Sequence, residues 1–384
     1  MEAYFDNSAT TKVMDAAAKL MLKVMKEDYG NPSARHRKGL EAEHYIKEAR
    51  TNIARTLRVQ EKEIFFTSGG TESNNLALIG AAMANSRAGK HIISTRIEHA
   101  SVYQPLAYLE SQGFSVTWLS VDKDGHISLD ELKASIRPDT ILVSVMYVNN
   151  EIGAVEPIEK ISQILREKNP SVLFHVDGIQ AYGKYEIRPK KQGIDLLSAS
   201  GHKFHGPKGV GFLYISEKAK VKPILYGGGQ QKDMRPGTEN VPGIAGIGIA
   251  AKEIYDHFPE NLSHILELKN ALIDALEGLE GVEIHSKRGS ESAPQIVSAG
   301  FLGVRSEVLL HALEDKGIYV SSGSACSSNH PAISGTLKAV GIKQEFLDST
   351  LRFSLGIYNT REEIDYAAGV LKELLPVLRR YRRG

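Results

Sequence analysis

One cysteine, Cys326, stands in a chain of 384 residues. An intramolecular disulfide is therefore excluded, and so is any zinc or iron–sulfur site that draws several thiolates from one chain. Neither sign of charge is in excess: 47 Lys and Arg against 46 Asp and Glu leave a formal charge of +1. That gives no reason to expect nucleic acid or an anionic membrane as the main partner. Long apolar runs are missing too. The most apolar stretch, Val241 to Ala251, holds a proline and several glycines and falls far short of the roughly 20 residues that cross a bilayer. Met1 to Asp6 lacks the basic and apolar regions of a secretory signal, so a cytoplasmic location is expected. Two nucleotide-binding signatures are absent: the Gly-x4-Gly-Lys-Ser/Thr phosphate loop, and Gly-x-Gly-x-x-Gly after a first strand.

What is present is an ordinary globular composition, 42% apolar and 24% charged, in a chain too long for one compact core. Two domains are expected. From about residue 60 to 215, short apolar runs alternate with helical patterns. Strands are expected at 64–67, 91–94, 114–119, 141–145, 172–176, 194–199 and 210–215. Helices are expected at 71–85, 100–112, 129–136 and 158–168. This alternation predicts an α/β fold with a mostly parallel central sheet flanked by helices, in which ligands gather at the carboxyl ends of strands. After residue 240 the pattern changes. A helical stretch from Ile244 to Gly278, broken near Pro259, leads into strands at 282–284, 295–298 and 351–354 and helices at 307–315 and 362–381. This reads as a smaller α+β domain. The expected division is 12–255 for the large domain, and 1–11 plus 256–384 for the small one carrying the Cys326 loop. The basic end, Arg379 to Arg383, suits the C-terminus of a last helix.

The most informative residue is Lys203, in Ser200-Gly201-His202-Lys203 after the apolar run Ile194–Ala199. A lysine at the end of a buried strand is placed to be a desolvated amine, able to form a Schiff base. Lys208 competes for the role but lies in Gly206-Pro207-Lys208-Gly209, a turn that exposes it. Ser68-Gly69-Gly70-Thr71-Glu72-Ser73, between strand and helix, fits a phosphate cradle and equally an ordinary turn capped by Thr71. Asp177 closes an apolar strand, where a carboxylate needs a partner such as a protonated ring nitrogen. It could instead cap the residues after it, and Gln180 could face the same ligand. His99 opens a helix, where an imidazole can stack on an aromatic ligand or bond to backbone. His202 and His205 have metal-like spacing without a third ligand nearby. Arg352, within an apolar strand, suits bidentate capture of a carboxylate or an internal salt bridge. Cys326 lies in a Ser/Gly-rich loop, where a thiol is exposed and able to react. Cradle, acid, histidine and strand-end lysine together fit pyridoxal 5'-phosphate, whose ring acts as an electron sink.

The chain also resembles the NifS/IscS-type cysteine desulfurases, pyridoxal-phosphate enzymes of fold-type I, along nearly its whole length. The matching segments are Tyr4–Thr11, Gly30–Ser33, Ser68–Asn74, Asn149–Gly153, Ser200–Lys203, Arg235–Asn240 and Ser321–Cys326. One departure is His175-Val176-Asp177-Gly178-Ile179-Gln180, where the family shows Asp-Ala-x-Gln; Asp and Gln keep their spacing. The resemblance implies that Lys203 holds the cofactor and moves the α-proton. It implies that Asp177 holds the pyridinium nitrogen, Gln180 the ring hydroxyl, and that His99 stacks on the ring. Gly70, Thr71, Ser200 and His202 would take the phosphate, and Thr238 would reach the phosphate of a neighbouring subunit in a homodimer. Asn150 and Arg352 would bind the carboxylate of L-cysteine, and Cys326 would take its sulfur as a persulfide. The implied recipient is an iron–sulfur scaffold or another acceptor protein. Selenocysteine lyase or cysteine sulfinate desulfinase on the same fold is the alternative, and neither a membrane nor a stable nucleic-acid partner is expected.

Overall fold

The computed structural model describes residues 1–322 and 334–380. Cys326 and residues 381–384, which take in the last three of the basic end, lie outside the described residues. In chain order the strands are β1 (Ala3–Tyr4), β2 (Ile64–Thr67), β3 (His91–Thr95), β4 (Ser115–Leu119), β5 (Thr140–Met146), β6 (Leu173–Asp177), β7 (Leu196–Ser200), β8 (Gly211–Ile215), β9 (Val282–Ile284), β10 (Ile296–Phe301), β11 (Ile318–Tyr319), β12 (Ser321–Ser322) and β13 (Thr350–Ser354). The helices are α1 (Asp15–Lys26), α2 (Arg37–Leu57), α3 (Gly70–Asn85), α4 (Ala100–Ser111), α5 (Leu129–Ser135), α6 (Ile158–Lys168), α7 (Pro189–Gln192), α8 (Val241–Asp256), α9 (Phe258–Glu277), α10 (Ser306–Glu314), α11 (Gly335–Ala339) and α12 (Arg361–Arg379).

Strands β2 to β8 form one sheet in the order β2-β8-β7-β6-β5-β3-β4. Every neighbouring pair is parallel except the two made by β8. The sequence explains why both faces are covered. Side chains alternate sides along a strand, and here both sides are apolar. Ile92, Leu142, Leu173, Leu196 and Leu213 pack on one face with α3 and α4. Their neighbours Ile93, Val143, Phe174, Leu197 and Phe212 pack on the other with α1, α2, α6 and α8. Near-continuous apolar runs are the mark of such doubly covered strands. Residues 12–60, where no element was expected, hold α1 and α2.

A second apolar core joins Phe5, Leu272, Phe301, Phe353 and Leu371. It lies between α9, α10, α12 and an antiparallel sheet ordered β12-β13-β10-β9. The N-terminus belongs to it: β1 pairs with β11, and Ala3 and Phe5 are fully buried. We propose 12–255 and 1–11 with 256–384 as the two domains; the separate cores support this division, while Ala293 and Ile296 pack with the first core. The helical break expected near Pro259 falls at His257, and Pro259 sits in the first turn of α9, where its missing N–H costs nothing.

Candidate active site

The carboxyl ends of β3, β5, β6 and β7 carry His99, Asn150, Asp177 and Lys203 onto one cavity of about 430 Å³. Gly70, Thr71, Gln180, Ser200, His202 and Arg352 line the same space. Ten of the residues singled out in the sequence therefore converge. Thr238 is exposed and outside this cavity. Lys208 is exposed as well. His205 Nδ1 donates to Lys12 O at 2.9 Å, and no cluster fit to hold a metal ion occurs among the described residues.

At one end stands the start of α3. Its cap position is Gly69, at φ 150°, a conformation that glycine adopts readily. Thr71 is thus the second helical residue, not the cap. The first N–H groups of a helix have no partner within it and attract an anion. Gly70 allows close approach: a Cβ there would lie 2.3 Å from Ile179 Cδ1. Across from it is His202, whose Nδ1 is buried with no hydrogen-bond partner among the described residues. Burial, and then the charges of Lys203, Lys208 and Lys184, lower this imidazole to about 4. It is a neutral ring at pH 7, with a nitrogen free to serve a ligand.

Asp177 lines the same cavity. Its Oδ1 accepts from Ile179 N at 3.0 Å and its Oδ2 from Asn74 Nδ2 at 2.9 Å. Burial pushes the carboxyl up against the opposing pull of Ile179 N–H, His99, Asn74 and Lys203. A protonated ring nitrogen would hold its charge. Asp177 thus satisfies both readings, acceptor for the next turn and buried acid at the cavity. His99 caps α4, its Nδ1 accepting from Ser101 N at 3.1 Å, and burial lowers its pKa, so the uncharged ring can stack on an aromatic ligand. Gln180 Nε2 donates to Ser8 O at 3.0 Å. Lys203 Nζ donates to Ser8 O at 2.5 Å and Ala9 O at 2.8 Å. The polar turn Asp6–Thr11 therefore forms one wall. Arg352 Nη2 meets Asp6 Oδ1 at 2.8 Å and its Nη1 donates to Asn150 O at 2.9 Å. The internal salt bridge exists, yet Nε is buried without a hydrogen-bond partner among the described residues.

The residues fit pyridoxal phosphate: a phosphate cradle with an imidazole nitrogen unpartnered among the described residues, a buried acid for the ring nitrogen, and an amine on the same cavity. Sequence reasoning missed Asp6, Glu98 and Glu151, which also line the cavity. Burial strongly raises Glu98. The only signal for it was its place directly before His99; nothing local shows that a carboxyl is buried.

Residues 3–367 match the family model described as aminotransferase class-V. The chain belongs to that family, and pyridoxal phosphate is its cofactor. Among curated relatives, the cysteine desulfurase IscS of Methanosarcina thermophila is 45% identical over 98% of this chain and 92% of its own. A solved NifS-like protein superposes with a TM-score of 0.93 at 38% identity, over 98% of this chain and all of its own. A structure of SspA in complex with cysteine gives 0.79 at 34% identity, over 93% of this chain and all of that one.

Proposed function

We propose that this protein is a pyridoxal-phosphate-dependent cysteine desulfurase that converts L-cysteine to L-alanine and places the sulfur on Cys326. The carrying observation is one cavity that joins a buried acid and a cradle for the cofactor with Arg352 and Asn150 for a substrate carboxylate. The cysteine desulfurase relatives support the reading. Bound here, the cofactor supplies an electron sink next to the substrate's α-carbon. Lys203 Nζ is the group placed to hold the cofactor and then to carry the α-proton. His99, at its cap position on α4, would stack on the ring. The guanidinium of Arg352 orients the substrate carboxylate, and Asp6 and Asn150 O hold that guanidinium in place. The sulfur step balances as cysteine plus the Cys326 thiol giving alanine plus a Cys326 persulfide. The C–S bond of the substrate and the S–H bond of Cys326 break, and one S–S bond and the methyl C–H bond of alanine form.

The reading extends to a homodimer in which the exposed Thr238 reaches the neighbouring subunit's phosphate, and to an iron–sulfur scaffold or another protein as the sulfur acceptor. A cytoplasmic setting suits a thiol that must cycle through the reduced state; no helix among the described residues is long and apolar enough to cross a membrane. The test is alanine release and persulfide formation in Cys326→Ala. Both should be lost, and full retained turnover on cysteine refutes the acceptor assignment.

A further inference from the structure

Asn74 is fully buried and is not among the residues that line the cavity. It lies on α3, one turn beyond Gly70 of the phosphate cradle, and bonds two groups that do line it, Asp177 and Ser101. Its Nδ2 donates to Asp177 Oδ2 at 2.9 Å and to Ser101 Oγ at 2.9 Å, so both amide hydrogens are spent. Its Oδ1 is buried with no hydrogen-bond partner among the described residues. Such a group is costly and calls for a reason other than stability. The carboxylate supplies one: a flipped amide would set Oδ1 against Asp177 Oδ2, acceptor against acceptor.

The other arm of the amide runs on to His99. Ser101 Oγ accepts from Asn74, so its own hydrogen is left for His99 Nδ1, 2.8 Å away. The same Nδ1 accepts from Ser101 N at 3.1 Å. A neutral imidazole has one donor nitrogen and one acceptor. With Nδ1 accepting twice, the proton sits on Nε2, and two bonds at one ring nitrogen also fix the plane of the ring. Asp177 is held at both oxygens in turn, Oδ1 by Ile179 N at 3.0 Å and Oδ2 by Asn74. Burial raises this carboxyl, and the Asn74 amide is among the groups that pull it down. Burial lowers His99, in keeping with a ring that only accepts at Nδ1.

We propose that Asn74 is a positioning residue for the cofactor: one buried amide orients the Asp177 carboxylate that takes the ring nitrogen and, through the Ser101 hydroxyl, sets the plane and tautomer of His99. This rests on the reading that Asp177 holds the ring nitrogen. Groups that meet a ligand keep their geometry only when hydrogen bonds from neighbouring side chains lock them, and removing the amide leaves a buried carboxylate short of one donor. Helix α3 thus serves the cofactor twice, with its first N–H groups for the phosphate and with Asn74 through Asp177 and His99.

The experiment uses two ligands: pyridoxal phosphate, and its deaza analogue with a C–H in place of the ring nitrogen. Each is titrated by calorimetry into full-length protein freed of cofactor: wild type, Asn74→Asp, Asn74→Leu, Ser101→Ala and Asp177→Asn. Asn74→Asp keeps the shape and loses the amide donor, and Asn74→Leu loses it without adding a charge. Both should bind pyridoxal phosphate about tenfold to a hundredfold more weakly, as for a lost hydrogen bond to a charged group. Both should bind the analogue within about threefold of wild type, because no ring nitrogen calls on Asp177. General damage to the fold would weaken the two ligands alike. Ser101→Ala leaves Asn74 on Asp177, so it should weaken both ligands equally, by about twofold to tenfold. Nitrogen NMR of the wild type with labelled histidine, its His99 signals identified by their loss in His99→Gln, should find the His99 proton on Nε2. Thermal midpoints identify any variant that has not folded, and the wild-type nitrogen spectrum then still decides the tautomer. Equal losses for the two ligands in the Asn74 variants, wild-type affinity for pyridoxal phosphate in them, or a His99 proton on Nδ1 overturns the proposal. Equal losses in Asp177→Asn remove the ring-nitrogen assignment itself.

Discussion

Replacing Gly70 by alanine puts a methyl carbon 2.3 Å from Cδ1 and 3.0 Å from Cγ1 of Ile179. Ser200 Cβ, at 3.5 Å, is in ordinary contact and need not move. The worst clash is with the tip of a side chain, which can rotate away. Overpacking of this kind costs about 1–3 kcal/mol, and a rotatable tip places it at the lower end. Ile179, however, lines the cavity between Asp177 and Gln180, and its displaced carbon takes space from the ligand. The expected result is a small loss of thermal stability with a loss of cofactor affinity of about 10- to 100-fold, equal to about 1.4–2.8 kcal/mol. Titration of pyridoxal phosphate into the cofactor-free variant, followed by absorbance, measures it. Ile179→Ala in the Gly70→Ala background removes the clashing carbons and should restore most of the affinity. Wild-type affinity in Gly70→Ala refutes the reasoning, and so does failure of the Ile179→Ala rescue.

Three further outcomes follow from the same structure. Arg352→Lys keeps a charge but loses the planar fork, so KM for cysteine should rise by about tenfold or more, read from initial rates of alanine release. Arg166→Ala strips Asp195, whose side chain is 1% exposed, of a partner at 2.5 Å; Lys218 at 3.2 Å and Phe174 N at 2.9 Å remain, so the loss should be about 1.5–3 kcal/mol in denaturant unfolding, as for a hydrogen bond to a charged group. Glu156 is buried and raised to about 8, so its folded-state advantage is full below the ordinary 4.5 and is lost as pH rises through about 8. Glu156→Gln should therefore gain stability relative to wild type between pH 5 and 9, by up to about 5 kcal/mol, and an unfolding difference that does not change with pH refutes the assignment.

Much of the large domain was legible in the chain. The strands at 64–67, 91–95 and 211–215 announce themselves as apolar runs bounded by turn residues, and β6 and β7 deliver Asp177 and Lys203 where such a sheet puts its ligands. The N-terminal region was not legible. Phe5 packs against Phe353, about 350 positions away, and Phe353 against Phe301, and β1 finds its partner only at β11. Helices α1 and α2 left no mark strong enough to name, because their packing partner α8 lies about 200 residues away.

The sequence by itself determined the chemistry: which amine, which acid, which imidazole and which single thiol the chain possesses, and the alternation that sets strand ends beside helix starts. Those are local properties, carried by residue type and short-range period. Only the tertiary structure decided the environment. It buried Glu98 and Glu151, put the backbone of Ser8 and Ala9 against Lys203, and tied Arg352 to Asp6. Burial and contact between distant segments are collective properties of the packed chain, and they govern which charges survive and which groups can reach one another.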